Sequence, residues 1–78
     1  EDFVLLDVRT PMENSKKRIK GSKFIPLSDL KNRVAELPKD KDVVVYCANG
    51  IRSITACKIL KKHGFERVKN MSGGISRW

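Results

Sequence analysis

An α/β domain built on a mostly parallel sheet is what the sequence predicts, and three observations predict it. Strand-like and helix-like segments alternate along the 78 residues. One run, Val43-Val44-Val45-Tyr46, is apolar and largely β-branched on both faces, as a central buried strand requires. The segments between strands carry helix start and stop signals at Thr10-Pro11-Met12-Glu13, Ser28 and Gly64. A chain of this length holds one domain, residues 1–78, with a small core.

Taken in order, Phe3 to Val8 is an apolar stretch of strand formers, suited to burial on both faces. Thr10 caps a short helix, with Pro11 at its first position and Glu13 completing a capping box. Lys23 to Pro26 is a short second strand, ended or confined to an edge by its proline. Ser28 is expected to cap a second helix with Leu30, Val34 and Leu37 on one face, stopped by Pro38. Lys39 to Asp42 is a solvated turn before the central strand. A third helix is expected from Arg52 to His63, with Ala56, Cys57, Ile59 and Leu60 as its apolar arc. Gly64 then ends it in the left-handed conformation, with Phe65 packing back. Arg67 to Met71 is the last strand, and Ser72-Gly73-Gly74 a turn.

Composition excludes several classes. The longest apolar run, Val43 to Ala48, falls far short of the roughly 18 residues of a membrane-spanning helix. No basic-then-apolar leader opens these residues, so the expected location is cytoplasmic, with no membrane partner. The net charge is +8, and Lys16, Lys17, Arg18, Lys20 and Lys23 form a stretch without an acid. The five aromatics are scattered singly, with no stacking or groove-reading element, so no nucleic acid partner is expected. A positive field that draws in small anions accounts for the same charge. Two cysteines make neither a disulfide framework nor a zinc site, and His63 is the only histidine.

Chemistry concentrates in Cys47-Ala48-Asn49-Gly50-Ile51-Arg52-Ser53. A cysteine stands here at the C-terminal end of a central parallel strand, on a short loop that opens a helix, at the edge where such sheets bind ligands. Backbone N–H groups wound into that loop and the positive helix start both stabilise a thiolate, so Cys47 needs no histidine to ionise. Gly50 lets the loop turn tightly, Arg52 offers a planar fork to an oxyanion, and Ser53 supports the loop. An arginine in a helix first turn opposes the dipole, and that conflict points to function. Cys57, on an apolar helix arc, is core packing.

These residues resemble the rhodanese-like family of single-domain thiosulfate sulfurtransferases. Cys47-x-x-Gly50-x-Arg52 is similar to its active loop, Leu6-Asp7-Val8-Arg9-Thr10-Pro11 with Glu13 to its "DVR" strand end, and Gly73-Gly74-Ile75-Ser76-Arg77-Trp78 to its closing turn. Where the family tends to read aromatic-x-x-x-His-Ile-Pro-Gly-Ala, this chain has Asn14, Arg18, Ile19, Lys20, Gly21 and Ser22. The resemblance implies a doubly wound, mostly parallel rhodanese-like sheet, trimmed at both ends relative to the family. It also implies the order last–third–first–second strand, which puts Cys47 where the winding reverses.

The function it implies is sulfane-sulfur transfer from thiosulfate or a related donor to cyanide or a thiol acceptor, through a Cys47 persulfide. A protein sulfur acceptor is a further partner class, and no cofactor or metal is required. Ala48, Asn49, Gly50, Ile51, Arg52 and Ser53 form the substrate-binding loop, with Arg52 orienting both loop and donor. Asp7 and Arg9 are scaffold, Asp7 bonding nearby backbone and Arg9 pairing with Glu13. Lys16 to Lys23 is a solvated face that also rims the site, and Trp78 seals the core. Two alternatives stand beside this reading. One is a sulfur-relay or partner-binding module of a larger protein. The other is a cysteine phosphatase or arsenate reductase, whose loops typically hold five residues between Cys and Arg, with His before the Cys; here there are four, preceded by Tyr46.

Overall fold

The computed structural model describes residues 2–78. Four strands, β1 (Phe3–Asp7), β2 (Lys23–Phe24), β3 (Asp42–Tyr46) and β4 (Val68–Asn70), form one sheet in the order β2-β1-β3-β4 with every pairing parallel. Three helices lie between them: α1 (Pro11–Lys16), α2 (Leu27–Arg33) and α3 (Arg52–Lys62). The strand order is the expected one, and the winding reverses between β1 and β3.

Strand β3 is central because its residues have apolar neighbours on both faces. Alternation along the strand sends Val43, Val45 and Cys47 into the larger core, with Leu6, Leu30, Ala56, Leu60 and Phe65. It sends Tyr46 to the opposite face, where a smaller cluster holds Ile19, Ile75, Leu5 and Met71. Burying each large aliphatic side chain fully is worth about 2 kcal/mol, so the larger cluster dominates stability.

Helix α1 starts as the sequence predicts. Thr10 Oγ1 accepts from the Glu13 N–H at 3.3 Å, and Glu13 Oε1 accepts from the Thr10 N–H at 3.0 Å. Helix α2 departs from expectation. It begins at Leu27 behind Pro26, and no side chain caps it, so Ser28 lies inside its first turn. The reason is that the Leu27 N–H is taken by the Val8 carbonyl at 3.0 Å, which leaves the strand end itself to fix the start. The helix also ends before Pro38, tightening into a 3-10 turn over Val34–Glu36. Helix α3 ends at Lys62, with Gly64 left-handed at φ +91° and the Phe65 N–H bonded to Leu60 O at 3.0 Å, as predicted.

Candidate functional site

Cys47 follows directly on β3, and strand parity turns its thiol toward α3. Its carbonyl accepts from the Ile75 N–H at 2.9 Å, and the Ala48 carbonyl from the Ser76 N–H at 3.1 Å. The closing 3-10 turn, Gly74–Arg77, thus clamps the start of the loop. Gly74 makes the clamp possible. Its φ is +61°, and a Cβ there would sit 2.3 Å from the Cys47 carbonyl oxygen and 2.7 Å from the Ala48 carbonyl carbon. No side chain fits so close to backbone.

Around the sulfur, the loop gathers backbone donors. The Gly50 N–H donates to Cys47 Sγ at 3.1 Å and the Ser53 N–H at 3.3 Å. Sγ lies 3.4 Å from Ser53 Oγ and 4.0 Å from Asn49 Oδ1. Asn49 Oδ1 also accepts from the Ile51 N–H at 3.2 Å, which folds the loop locally. Gly50 takes φ +92° to point its N–H inward. Burial alone pushes the Cys47 thiol up. The Ser53 hydroxyl and N–H groups of the loop outweigh that and hold it below the ordinary thiol value. Cys57, buried in the core with no such donors, is pushed up by burial.

Asn70, at the end of β4, is a residue the sequence reading missed. Its Oδ1 accepts from the Ser53 hydroxyl, and its Nδ2 donates to the Gly50 carbonyl at 3.3 Å. One carboxamide thereby ties the two loop residues whose N–H groups reach the sulfur. Nothing local in the sequence marks it, because the contact spans 17 and 20 positions.

Arg52 is held bidentately by Glu13, Nη1 to Oε1 at 2.8 Å and Nη2 to Oε2 at 2.9 Å. The Arg52 guanidinium beside Glu13 brings that carboxyl down to about 2. Arg9 therefore does not pair with Glu13, as the sequence suggested. It turns back onto Asp7, whose carboxylate receives the Arg9 N–H at 2.9 Å, Nε at 3.0 Å, Nη2 at 2.9 Å, and Asn14 Nδ2 at 2.8 Å. Burial pushes the Asp7 carboxyl up, and these four bonds hold it below its usual value. A fully buried carboxylate requires such complete pairing, and Glu13 at the rim could not supply it.

The remaining loop residues divide by position. Ala48 contributes its carbonyl, and Ile51 projects outward, 67% exposed. Trp78 does not seal the core. It is 72% exposed and borders a groove of about 250 Å³ with Phe3, Leu5 and Ile19. The closing turn buries Ile75 in its place, because the clamp on Cys47 and Ala48 directs that side chain inward. A second open groove, about 340 Å³, runs from Thr10 and Pro11 past Pro26 to Arg52. Among the described residues no three His, Cys, Asp or Glu side chains converge as metal ligands.

The chain's likeness to known proteins agrees with this geometry. The sequence model of the rhodanese-like domain matches residues 1–78. A sulfurtransferase of Allochromatium vinosum is 44% identical over 78 residues, all of this chain and 73% of that protein. The crystal structure of a rhodanese-related protein from Thermoplasma volcanium superposes with a TM-score of 0.91 at 36% identity, covering 99% of this chain and 76% of that one. An NAD-dependent persulfide reductase from A. fulgidus superposes at 0.88 with 45% identity; all of this chain matches only 14% of that structure. With a fully matched sequence, the same parallel sheet and a cysteine loop at its edge, this chain belongs to the rhodanese-like family.

Proposed function

We propose that the chain transfers sulfane sulfur from thiosulfate, or a donor like it, to cyanide or a thiol through a persulfide on Cys47. The observation that carries this reading is the pair of backbone N–H groups, from Gly50 and Ser53, aimed at Cys47 Sγ. In the first half-reaction the Cys47 thiolate attacks the outer sulfur of thiosulfate. The bond between the two thiosulfate sulfurs breaks, sulfite leaves with the electron pair, and Cys47 carries S–S⁻. In the second, cyanide attacks that outer sulfur, thiocyanate departs, and the thiolate is restored. A thiol acceptor takes the sulfur in the same way and becomes a persulfide. The loop N–H groups stabilise the thiolate on Sγ, both as it attacks and as it is restored when the outer sulfur leaves. Arg52 orients the loop through its ion pair with Glu13.

Mass spectrometry after thiosulfate treatment tests the proposal. One sulfur is expected on Cys47, lost on adding cyanide with release of thiocyanate. Persulfide that persists in Cys47→Ser, or that maps to Cys57, would overturn it. A relay role within a larger protein is a second reading, favoured by the match to a small part of the persulfide reductase. It uses the same Cys47 chemistry and differs in the acceptor.

A further inference from the structure

One hydroxyl in the cysteine loop faces two acceptors. Ser53 and Cys47 are both fully buried, and Ser53 Oγ lies 3.4 Å from Sγ. On its other side Ser53 Oγ meets Asn70 Oδ1 at the end of β4. The second bond of the Asn70 carboxamide fixes which way round it sits. Only its –NH2 can donate to the Gly50 carbonyl, so the oxygen is the atom turned to Ser53. An amide oxygen only accepts, and the Ser53 hydroxyl proton is therefore committed to Asn70. Sγ, as a neutral thiol, completes the chain by donating its own proton to Ser53 Oγ.

Ionisation of Cys47 upsets that arrangement. The thiolate has no proton to give, which leaves one hydroxyl proton between Sγ and Asn70 Oδ1. A hydrogen bond to a charged acceptor is roughly twice as strong as one to a neutral acceptor, so the hydroxyl turns to Sγ. The Gly50 and Ser53 N–H groups already point at the sulfur and are held by the backbone. Of these three donors only the hydroxyl can swing, about its own C–O bond. Arg52 and Glu13 satisfy each other, as do Asp7 and Arg9, so neither pair competes for it. Asn70 tolerates the loss because it is exposed, and water can serve its oxygen. Buried Ser53 has no such recourse, and without Asn70 its proton would lack an acceptor whenever Sγ is neutral.

Resting on the sulfurtransferase reading above, we propose that Asn70 is a positioning residue for the Ser53 hydroxyl. It holds that hydroxyl away from Sγ while the sulfur is neutral and yields it when negative charge arrives there. No covalent bond of Ser53 or Asn70 breaks, because the hydroxyl only rotates. As the Cys47 thiolate attacks thiosulfate, sulfite leaves with the electron pair, Sγ becomes the inner sulfur of the persulfide, and the charge moves to the outer sulfur. The hydroxyl then returns to Asn70. When an acceptor takes the outer sulfur, the electron pair and the charge return to Sγ, and the hydroxyl follows them.

Nuclear magnetic resonance of the Asn70 side-chain carbonyl carbon reads the switch, because its shift follows the hydrogen bond that Oδ1 accepts. In the unmodified protein the shift is expected to move between about pH 5 and about pH 9, a window containing the ordinary thiol value, with the same midpoint as Cys47 alkylation. Charging the protein with thiosulfate at the upper end of that window is expected to return the shift to its thiol position. The movement is expected to be largely lost in Ser53→Ala, where only the charge on the sulfur remains to be felt. It should vanish in Cys47→Ala, which retains Cys57 and His63. A shift indifferent to pH in the unmodified protein overturns the switch whatever the variants do, and so does movement that persists in full in either variant. Persulfide that forms while the shift keeps its thiolate position overturns the switch and leaves sulfur transfer intact. If no persulfide forms, the sulfur-transfer reading is overturned and this proposal with it.

Discussion

Replacing Glu13 by Gln isolates the ion pair that ties α1 to the cysteine loop. The substitution keeps a carbonyl oxygen for the Thr10 N–H, so the helix cap survives, and it sets an amide –NH2 against one Arg52 nitrogen in place of a carboxylate oxygen. The folded state holds the Glu13 carboxyl at about 2 against an ordinary 4.5, chiefly through Arg52. At about 1.4 kcal/mol per pH unit the whole shift would correspond to about 3 kcal/mol. The pair is a third exposed, 33% for Glu13 and 36% for Arg52, and screening by water reduces its worth to about 1 kcal/mol. Because the folded value lies below the unfolded one, this contribution is fully present above the unfolded value of 4.5 and is lost as pH falls toward about 2. Urea unfolding of both proteins across that range provides the assay. The unmodified protein should be more stable by about 1 kcal/mol at neutral pH, with the gap closing in acid. Asp7 and Glu36 titrate alike in both proteins and cancel from the difference. A gap that does not change with pH would refute the ion pair as its source.

Three further outcomes follow from the site. Alkylation rate against pH should place the Cys47 midpoint below the usual value of about 8.5 and that of Cys57 above it; Ser53→Ala should raise the Cys47 midpoint, since the Ser53 hydroxyl is among the groups that favour its thiolate. Arg52→Lys should slow thiosulfate turnover about tenfold, because a point charge cannot hold both Glu13 oxygens, and unchanged turnover in a folded variant would refute that role. Gly74→Ala should cost about 2 kcal/mol or more in urea unfolding and slow persulfide formation, since its Cβ would be forced against the Cys47 carbonyl; wild-type values would mean the clamp is dispensable.

Much of the fold was written in local pattern. Thr10, Pro11 and Glu13 specify the start of α1 within four residues, and the β-branched run ending at Tyr46 identifies the central strand without reference to anything distant. Strand parity then fixes which way Cys47 points, and a glycine three positions on lets the loop close over its sulfur. These are short-range effects of backbone sterics and alternating burial, so the sequence by itself determined them. Tertiary structure decided what depends on competition between partners far apart in the chain. Arg9 had both Asp7 and Glu13 available, and burial of the Asp7 carboxylate required Arg9, which left Glu13 for Arg52, 39 residues away. Ser28 lost its capping role because Val8 had already supplied a carbonyl to the start of α2. Asn70 became the brace of the cysteine loop, and Ile75 instead of Trp78 filled the core, only once β4 and the closing turn had come against β3. A buried charge takes the nearest complete set of hydrogen bonds, and which set is nearest is known only after the chain has folded.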